Sequence, residues 1–370
     1  NNNEVRVIAT ESALEFITET TLKTLSQNEV WARQFGSAVK EIRHIEITEW
    51  GDILLIAPAS ANICSKAAHA IGDDLLSTTI LAALNKLPII MCPAMNTHMY
   101  ENPIFQDNLK TLIKNGVSIV EPDSGDMACG TTGKGRFPDE ETILFEIEKF
   151  LSPKPLKNIN VLITAGPTLE PIDPVRYITN HSSGKMGYEL ARTASILGGK
   201  VILIHGKTDI PMRIPSAHTI FIKTAEEMAD AFFHYYPNSS IAICAAAVAD
   251  YKIQNYSSEK IKKKLSLHLE LVKNPDILAK AGSEKRTNQH LTGFSLETSH
   301  EIENGIQKKN KKNCDLMVIN NPIIPGSEFG GDTNQITLID KKNKTIPYEN
   351  MSKRECSKLI LKKIIEEYGL

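Results

Sequence analysis

Several patterns that would classify a protein at once are missing from this chain of 370 residues. No apolar run approaches the roughly 18 to 20 residues that cross a bilayer, and no basic-then-apolar leader is visible at the start. The six cysteines never occur in a CxxC spacing, which argues against a disulfide framework or a structural zinc site. We therefore expect a cytoplasmic protein with free thiols that does not enter a membrane.

Two common nucleotide-binding signatures are missing as well. The absence of GxxxxGK[ST] argues against a P-loop protein. The absence of GxGxxG followed by an acidic residue about 20 positions later argues against a dinucleotide dehydrogenase. Any nucleotide bound by this chain must be held by other loops.

What the chain does have is an uneven distribution of charge. Residues 1–152 carry 12 Lys and Arg against 21 Asp and Glu, whereas residues 153–370 carry 30 against 23. A basic half suits a polyanionic ligand, although lysine-rich stretches are as often solvated faces. The contrast indicates two parts with different ligands.

A domain boundary is indicated where Pro153 and Pro155 precede a buried strand pattern at 159–165. On both sides of it, short apolar strands alternate with helical patterns, which predicts parallel sheets flanked by helices. We expect two Rossmann-like α/β domains, over 1–152 and 157–370. The other predicted elements are strands at 53–57, 87–92, 200–205, 241–246 and 316–319, and helices that include 13–25 and 185–197.

Polar clusters follow the strands of the first half, at the edge where open α/β sheets bind ligands. They read PASAN at 58–62, PAMNTHMY at 93–100 and ACGTTGKGR at 128–136. Alone, the first is better explained by an ordinary helix cap than by a site, and His44 by a surface histidine or one whose hydrogen bonds are satisfied. Asn96 lies between two methionines and can hydrogen-bond a carboxylate in a dry pocket, while the glycine-rich loop around Cys129 has the composition of a lid.

With GDDLL at 72–76, these motifs resemble the flavin-containing cysteine decarboxylases. The resemblance implies a flavodoxin-like domain in which Pro58, Ser60 and Asn62 contact FMN. It implies that bound FMN oxidises the cysteinyl group of the substrate, that carbon dioxide is then lost, and that the reduced flavin returns the electrons to the product. By resemblance, His44 is the base, Asn96 holds the substrate carboxylate and Cys129 protonates the product, which suits the titration range of these side chains.

The second half carries TAGPT at 164–168, DPVRYITNHSSGKMG at 173–187, CAAAVADY at 244–251, KIKKK at 260–264 and KNPDIL at 273–278. Glycines and hydroxyls before a helix suit phosphate, and the lysines either neutralise a triphosphate or solvate a loop. These motifs resemble phosphopantothenate-cysteine ligases over nearly all of 157–370.

The ligase resemblance implies a CTP-dependent, Mg²⁺-assisted reaction through an acyl-cytidylate. Lys260 would serve its formation, and Asn180, with Arg176 in the same loop, would serve the attack by cysteine. No metal ligand is identified. The implied nucleotide contacts are Cys244, Ala245, Ala246, Asp250, Lys260, Pro275, Asp276, Ile277, Leu278, Phe294, Lys308 and Lys312.

Together the two halves resemble the bifunctional enzymes of coenzyme A biosynthesis. These convert 4′-phosphopantothenate, cysteine and CTP to 4′-phosphopantetheine, and do not act on nucleic acid. The resemblance implies a homo-oligomer in which the decarboxylase parts form trimers and the ligase parts form dimers, an arrangement consistent with a dodecamer.

Two alternatives stay open at this point. The chain begins without the strand and glycine-rich turn that help hold the flavin phosphate in such proteins, so we expect an N-terminally truncated first domain. A chain in which only the ligase works, with the first half as a non-catalytic module, is therefore one alternative. A regulatory flavoprotein of the phosphatase-binding type is the other, and the ligase-like second half argues against it.

Overall fold

The structure, a computed structural model, describes residues 3–34, 43–126, 132–208, 210–263, 266–321, 323, 324, 327 and 330–370. The chain divides into two compact units, Asn1–Leu151 and Ser152–Leu370. None of the helices in this described part combines the length and hydrophobicity that a membrane crossing needs.

The first unit is built around a parallel sheet in the order β3, β4, β5, with β1 and β2 as a separate parallel pair and β6 and β7 as an antiparallel hairpin. Its strands are β1 (Val7–Ile8), β2 (Val30–Trp31), β3 (Leu54–Ala59), β4 (Ile89–Pro93), β5 (Ser118–Ile119), β6 (Asp123–Asp126) and β7 (Thr132–Arg136). Its helices are α1 (Glu11–Leu14), α2 (Glu19–Ser26), α3 (Arg43–Trp50), α4 (Ala61–Ala68), α5 (Leu75–Ala83), α6 (Thr97–Tyr100), α7 (Pro103–Lys114) and α8 (Glu140–Leu151).

Strand β4 is buried along its whole length, as expected of a strand covered on both faces. Helix α7 packs there because Phe105, Leu109 and Leu112 recur at the spacing of one helix face and are buried in the same core as Ile56 and Met91. The sheet therefore holds the ends of β3 and β4 side by side, where the polar clusters follow.

The predicted helix at 13–25 is wrong as a single element, because α1 and α2 occupy that stretch separately. Thr18 is extended and its hydroxyl accepts a hydrogen bond from the Thr21 amide at 3.2 Å. A threonine that caps a new helix competes with continuation of the preceding one. The local cap therefore overrides the helical spacing of the apolar residues.

The second unit contains α9 (Lys185–Ile196), α10 (Ala225–Tyr235), α11 (Ile277–Glu284), α12 (Glu301–Lys311) and α13 (Lys353–Tyr368), with a short 3₁₀ turn at Tyr236–Asn238. Its strands are β8 (Asn160–Ala165), β9 (Leu169–Pro171), β10 (Tyr177–Thr179), β11 (Lys200–His205), β12 (His218–Phe221), β13 (Ile241–Cys244), β14 (Tyr251–Ile253), β15 (Leu271–Lys273), β16 (His290–Leu296), β17 (Leu316–Asn320), β18 (Thr333–Asn334), β19 (Ile336–Ile339), β20 (Thr345–Pro347) and β21 (Met351–Ser352).

Eight of these strands form one sheet in the order β12, β11, β8, β13, β16, β17, β19, β20. The first six are parallel to one another, whereas β19 is antiparallel to both of its neighbours, β17 and β20. A tight turn joins the last two, since the Asp340 amide donates to Lys344 and Asn343 takes a left-handed conformation. The predicted α/β class is confirmed, and the sheet is mixed at this edge.

Gly187 lets α9 lie directly on β8. A Cβ atom at this position would come within 2.4 Å of the Ala165 Cβ and 3.0 Å of the Ala165 Cα. A Cβ atom at Gly305 in α12 would instead lie 2.4 Å from the Ile319 Cδ1, which is the flexible end of a side chain. The two sites differ in what must move.

We expect Gly187→Ala to lower the free energy of unfolding by about 1–3 kcal/mol, because the strand backbone cannot yield to the added methyl group. This loss should outweigh the roughly 1 kcal/mol that alanine gains over glycine in a helix. Gly305→Ala is the matched control and should cost less. Urea unfolding of both variants measures this difference in the free energy of unfolding. An equal or larger loss of stability in Gly305→Ala would contradict the explanation.

Candidate active sites

The carboxyl ends of β8, β13 and β16 border a pocket of about 420 Å³ in the second unit. Parallel neighbours bring their following loops to one edge, which is where open α/β sheets bind ligands. Ten of the predicted nucleotide contacts line this pocket, namely Cys244, Ala246, Asp250, Pro275, Asp276, Ile277, Leu278, Phe294, Lys308 and Lys312.

The end of β8 shapes the wall that follows β13. The Thr164 hydroxyl accepts from the Ala246 amide at 3.3 Å, and the Thr164 carbonyl accepts from the Ala245 amide at 3.2 Å. One turn later, the Thr168 hydroxyl accepts from the Ala249 amide at 3.0 Å. Ala245 is thus engaged with β8 through its backbone and does not itself line the pocket.

The charged side of the pocket comes from α11 and α12. Asp276 caps α11, accepting from the Ala279 amide at 3.0 Å, and the Lys312 ammonium donates to Asp276 at 3.1 Å. Burial, and then the neighbouring Lys312 charge, lower the pKa of Lys308 below its usual value. The attraction of a bound polyanion would offset both penalties, so this side suits phosphate groups.

Sequence reasoning missed six residues that also line the pocket, namely Thr164, Val248, Ala249, Tyr251, Lys273 and Asn274. Asn274 links the segment before α11 to the segment after β13. Its side-chain Nδ2 donates to the Ala249 carbonyl at 2.9 Å, and its backbone N–H donates to the Asp250 carbonyl at 2.9 Å. All six lie inside or directly beside the motifs quoted above. Proximity to those motifs was the signal that would have found them.

Asn180 stands at the border of this pocket and not in its lining. Its side-chain amide donates to the carbonyl of Val248 at 3.2 Å and approaches that of Ala247 at 3.4 Å. Because Val248 lines the pocket, the exposed Asn180 is held at its rim.

Lys260 and Arg176 also lie outside the pocket lining. Lys260 is exposed on the segment between β14 and β15. Arg176 lies in the turn between β9 and β10 and donates from Nη2 to the carbonyl of Ile261 at 2.9 Å. The structure therefore brings Arg176 to the residue next to Lys260.

In the first unit, Pro58, Ser60 and Asn62 are exposed together where β3 gives way to α4. Ser60 caps α4, with its hydroxyl 3.4 Å from the Ile63 amide. The end of β4 is joined to the same place, since the Ala94 amide donates to the Ala59 carbonyl at 3.1 Å. The cluster can therefore cap α4 and still offer exposed side chains to a ligand.

Asn96 begins α6, and its Oδ1 accepts from the His98 amide at 2.9 Å. The hairpin of β6 and β7 packs on this segment, because the Met95 amide donates to the Gly135 carbonyl at 3.0 Å and a Cβ at Gly133 would meet Thr97 at 2.7 Å. Cys129 falls between these two strands and lies outside the described residues.

His44 lies in the first turn of α3 and is partly buried. Over the described ranges, no group of three or more His, Cys, Asp or Glu side chains is arranged to hold a metal ion. Magnesium often binds through substrate phosphates and retained waters, so the donor set of the pocket in the second unit is compatible with an ion brought by a ligand.

Each half of the chain matches a known protein family. The family model described as Flavoprotein matches residues 1–152, and the model described as DNA/pantothenate metabolism flavoprotein C-terminal domain matches residues 156–368. The coenzyme A biosynthesis bifunctional protein CoaBC of Bacillus subtilis (strain 168) is 41% identical over 366 residues, covering 97% of this chain and 89% of that protein.

A cysteine/cysteine sulfinic acid decarboxylase from an unknown prokaryotic organism is also 41% identical, over 94% of this chain and 99% of that protein. Among solved structures, the C-terminal domain of a coenzyme A biosynthesis bifunctional protein CoaBC matches with a TM-score of 0.50 and 35% identity. It covers 58% of this chain and 97% of that one.

The chain therefore belongs to the family of bifunctional coenzyme A biosynthesis proteins. The prediction of a bifunctional enzyme with decarboxylase and ligase activities is confirmed. The individual site residues stay predictions.

We expect Lys308→Ala to weaken binding of inorganic tripolyphosphate about 10- to 100-fold, the usual worth of a charge-assisted hydrogen bond. Lys309→Ala is the matched control, because Lys309 is buried and donates instead to Asn343 at 2.7 Å and to the Lys341 carbonyl. Its loss should reduce stability with little change in affinity. Calorimetric titration and urea unfolding measure the two effects, and equal losses of affinity would contradict the assignment.

Proposed function

We propose that the second unit joins 4′-phosphopantothenate to cysteine at the expense of CTP, and that the first unit decarboxylates the product to 4′-phosphopantetheine with FMN. The observation that carries this proposal is the nucleotide pocket. Segments after β13, before α11, within β16 and along α12 are distant in sequence, yet each contributes a residue predicted to contact nucleotide.

The first ligase step is attack of the substrate carboxylate oxygen on the α-phosphorus of CTP, with pyrophosphate as leaving group. Phe294 offers a flat face for the base, and Lys308 with Lys312 offers positive charge for the phosphates. Lys260 would stabilise the charge that develops on the phosphates, and a Mg²⁺ ion brought by the nucleotide would supply further positive charge there. The poor leaving group of a carboxylate becomes a good one.

In the second ligase step the cysteine amine attacks the acyl carbon and CMP leaves. Asn180 is suited to polarise the acyl group because its amide is fixed at the pocket rim by the Val248 carbonyl. Its two amide hydrogens reach the carbonyls of Ala247 and Val248, and the longer contact, to Ala247, can be exchanged for one to the intermediate. Arg176, in the same hairpin, supports this arrangement.

In the first unit, Pro58, Ser60 and Asn62 would hold FMN beside the start of α4. The exposed hydroxyl and amide side chains, with the amides of the first helical turn, fit the oxygen atoms of a flavin and its phosphate. When bound, FMN supplies reversible two-electron oxidation. His44 accepts a proton, Asn96 orients the carboxylate and Cys129 returns a proton to the product.

Assembly and location follow the same resemblance. We propose a cytoplasmic homo-oligomer with trimeric contacts between first units and dimeric contacts between second units, consistent with a dodecamer. Its partners are the small-molecule substrates, and no nucleic acid takes part.

We expect this chain, given FMN, Mg²⁺, CTP, cysteine and 4′-phosphopantothenate without oxygen, to release CMP, pyrophosphate and carbon dioxide together. Mass spectrometry of all three measures both activities. Cys129→Ser should block formation of 4′-phosphopantetheine and spare CMP release, with Cys92→Ser, a buried thiol of β4, as the matched control.

The products separate the alternatives. CMP without carbon dioxide would favour the ligase-only reading, and the absence of CMP would contradict the proposal. Carbon dioxide from free cysteine or cysteine sulfinate without CTP would indicate the activity named for the decarboxylase relative.

We expect Lys260→Gln and Asn180→Asp to interrupt different steps. Lys260→Gln should lower pyrophosphate release about 100- to 1000-fold, the usual cost of removing a group that stabilises transition-state charge. Asn180→Asp should still release pyrophosphate and accumulate the acyl-cytidylate with little ligated product. Normal pyrophosphate release by Lys260→Gln, or normal ligation by Asn180→Asp, would contradict the roles.

A further inference from the structure

We propose that Asp173 and Arg176 form a clamp that positions Lys260 for the first ligase step, and that they are positioning residues without contact to substrate. This inference rests on the proposed function of Lys260. It starts from the turn that joins β9 to β10, which lies against the lysine-bearing segment between β14 and β15.

The clamp holds both backbone polar groups of one residue, Ile261. The Asp173 carboxylate accepts from the Ile261 amide at 3.1 Å, and Arg176 Nη2 donates to the Ile261 carbonyl at 2.9 Å. Arg176 Nε also donates to Asp173 at 3.0 Å. Both backbone groups of the residue after Lys260 are therefore fixed by one ion pair.

Asp173 is built into the turn and is not free to follow the segment. Its other oxygen accepts from the amides of Val175 and Arg176 at 2.8 and 2.9 Å, and the residue is only 2% exposed. The hydrogen bond from the Arg176 guanidinium, with those backbone amides, holds the pKa of Asp173 well below its usual value. The carboxylate is thus charged at neutral pH.

A second contact fixes the same segment a few residues earlier. The Ser257 amide donates to the Ile172 carbonyl at 3.2 Å, next to Asp173. Lys260 therefore lies between two points of attachment to one turn. Restricting the backbone limits where a long, flexible ammonium group can reach, which is how orientation contributes to catalysis.

Neither member of the clamp lines the nucleotide pocket. Their hairpin nevertheless continues through β10 to Asn180 at the pocket rim. One short element thus connects the lysine of the first step to the asparagine of the second. This accounts for the presence of Arg176 in the motif without a direct role at the reacting atoms.

The test compares Asp173→Asn, which keeps the shape of the side chain and removes its charge, with the parent full-length chain. We expect pyrophosphate release from CTP and 4′-phosphopantothenate to fall about 10- to 100-fold, the cost of a small displacement of a catalytic group. Affinity for CMP, which reports the pocket alone, should stay near the parent value. Hydrogen exchange of the Ile261 amide should accelerate while the strands of the main sheet keep their protection.

Two further variants sharpen the result. Arg176→Lys retains a charge but not the fork that reaches both Asp173 and Ile261, so its effect should lie between those of the parent and Arg176→Gln. Glu303→Gln removes an exposed carboxylate beside His300 and serves as the control, with parent rates.

The outcomes are distinct. A parent chain that releases no pyrophosphate contradicts the proposed function, whereas Ile261 exchange still reports the clamp. A parent that is active and an Asp173→Asn variant with the parent rate overturn the clamp alone. An equal loss of CMP affinity and of protection throughout the second unit would show that Asp173 acts on the fold as a whole, and would also overturn it.

Discussion

The chemistry of the second unit depends on the parallel pairing of β13 with β8 on one side and with β16 on the other. Parallel strands must end at a common edge, so the loops after them meet whatever their distance in sequence. Thr164 then fixes the backbone after β13, and Phe294 lies within β16 at the same edge. Given this pairing, α11 and α12 bring Asp276, Lys308 and Lys312 to the pocket and add to the charges of Asp250 and Lys273.

The two units use this edge differently. In the second unit, the partly buried ammonium groups of Lys308 and Lys312 repel each other, which suits the proposed binding of phosphate. In the first, exposed Ser60 and Asn62 follow β3, and the hairpin of β6 and β7 packs onto the segment that carries Asn96. A charged pocket suits activation by a nucleotide, whereas decarboxylation needs orientation and exclusion of water more than charge. The net positive charge of residues 153–370 agrees with that division.

The sequence was informative where function depends on a contiguous motif. Pro275 to Leu278 lie together in the pocket because they form the start of one helix, and Lys308 and Lys312 do so because four residues make about one helical turn. It was uninformative where a cap, a turn or a distant partner decides. Thr18 divides a helical pattern through a cap, and β19 pairs antiparallel because of the turn that follows it. The contact of Asp173 with Ile261 spans 88 positions, which no local pattern encodes.

The hairpin of β9 and β10 also constrains how this protein can vary and how it can be engineered. Its turn holds the segment of Lys260, and its far end presents Asn180, although these residues stand 80 positions apart in the numbering. A chimera that takes residues 169–180 from one ancestor and the lysine-rich segment from another would join parts that were never selected together. The two stretches are therefore expected to vary as one unit, and grafting this ligase chemistry onto another scaffold means transplanting both.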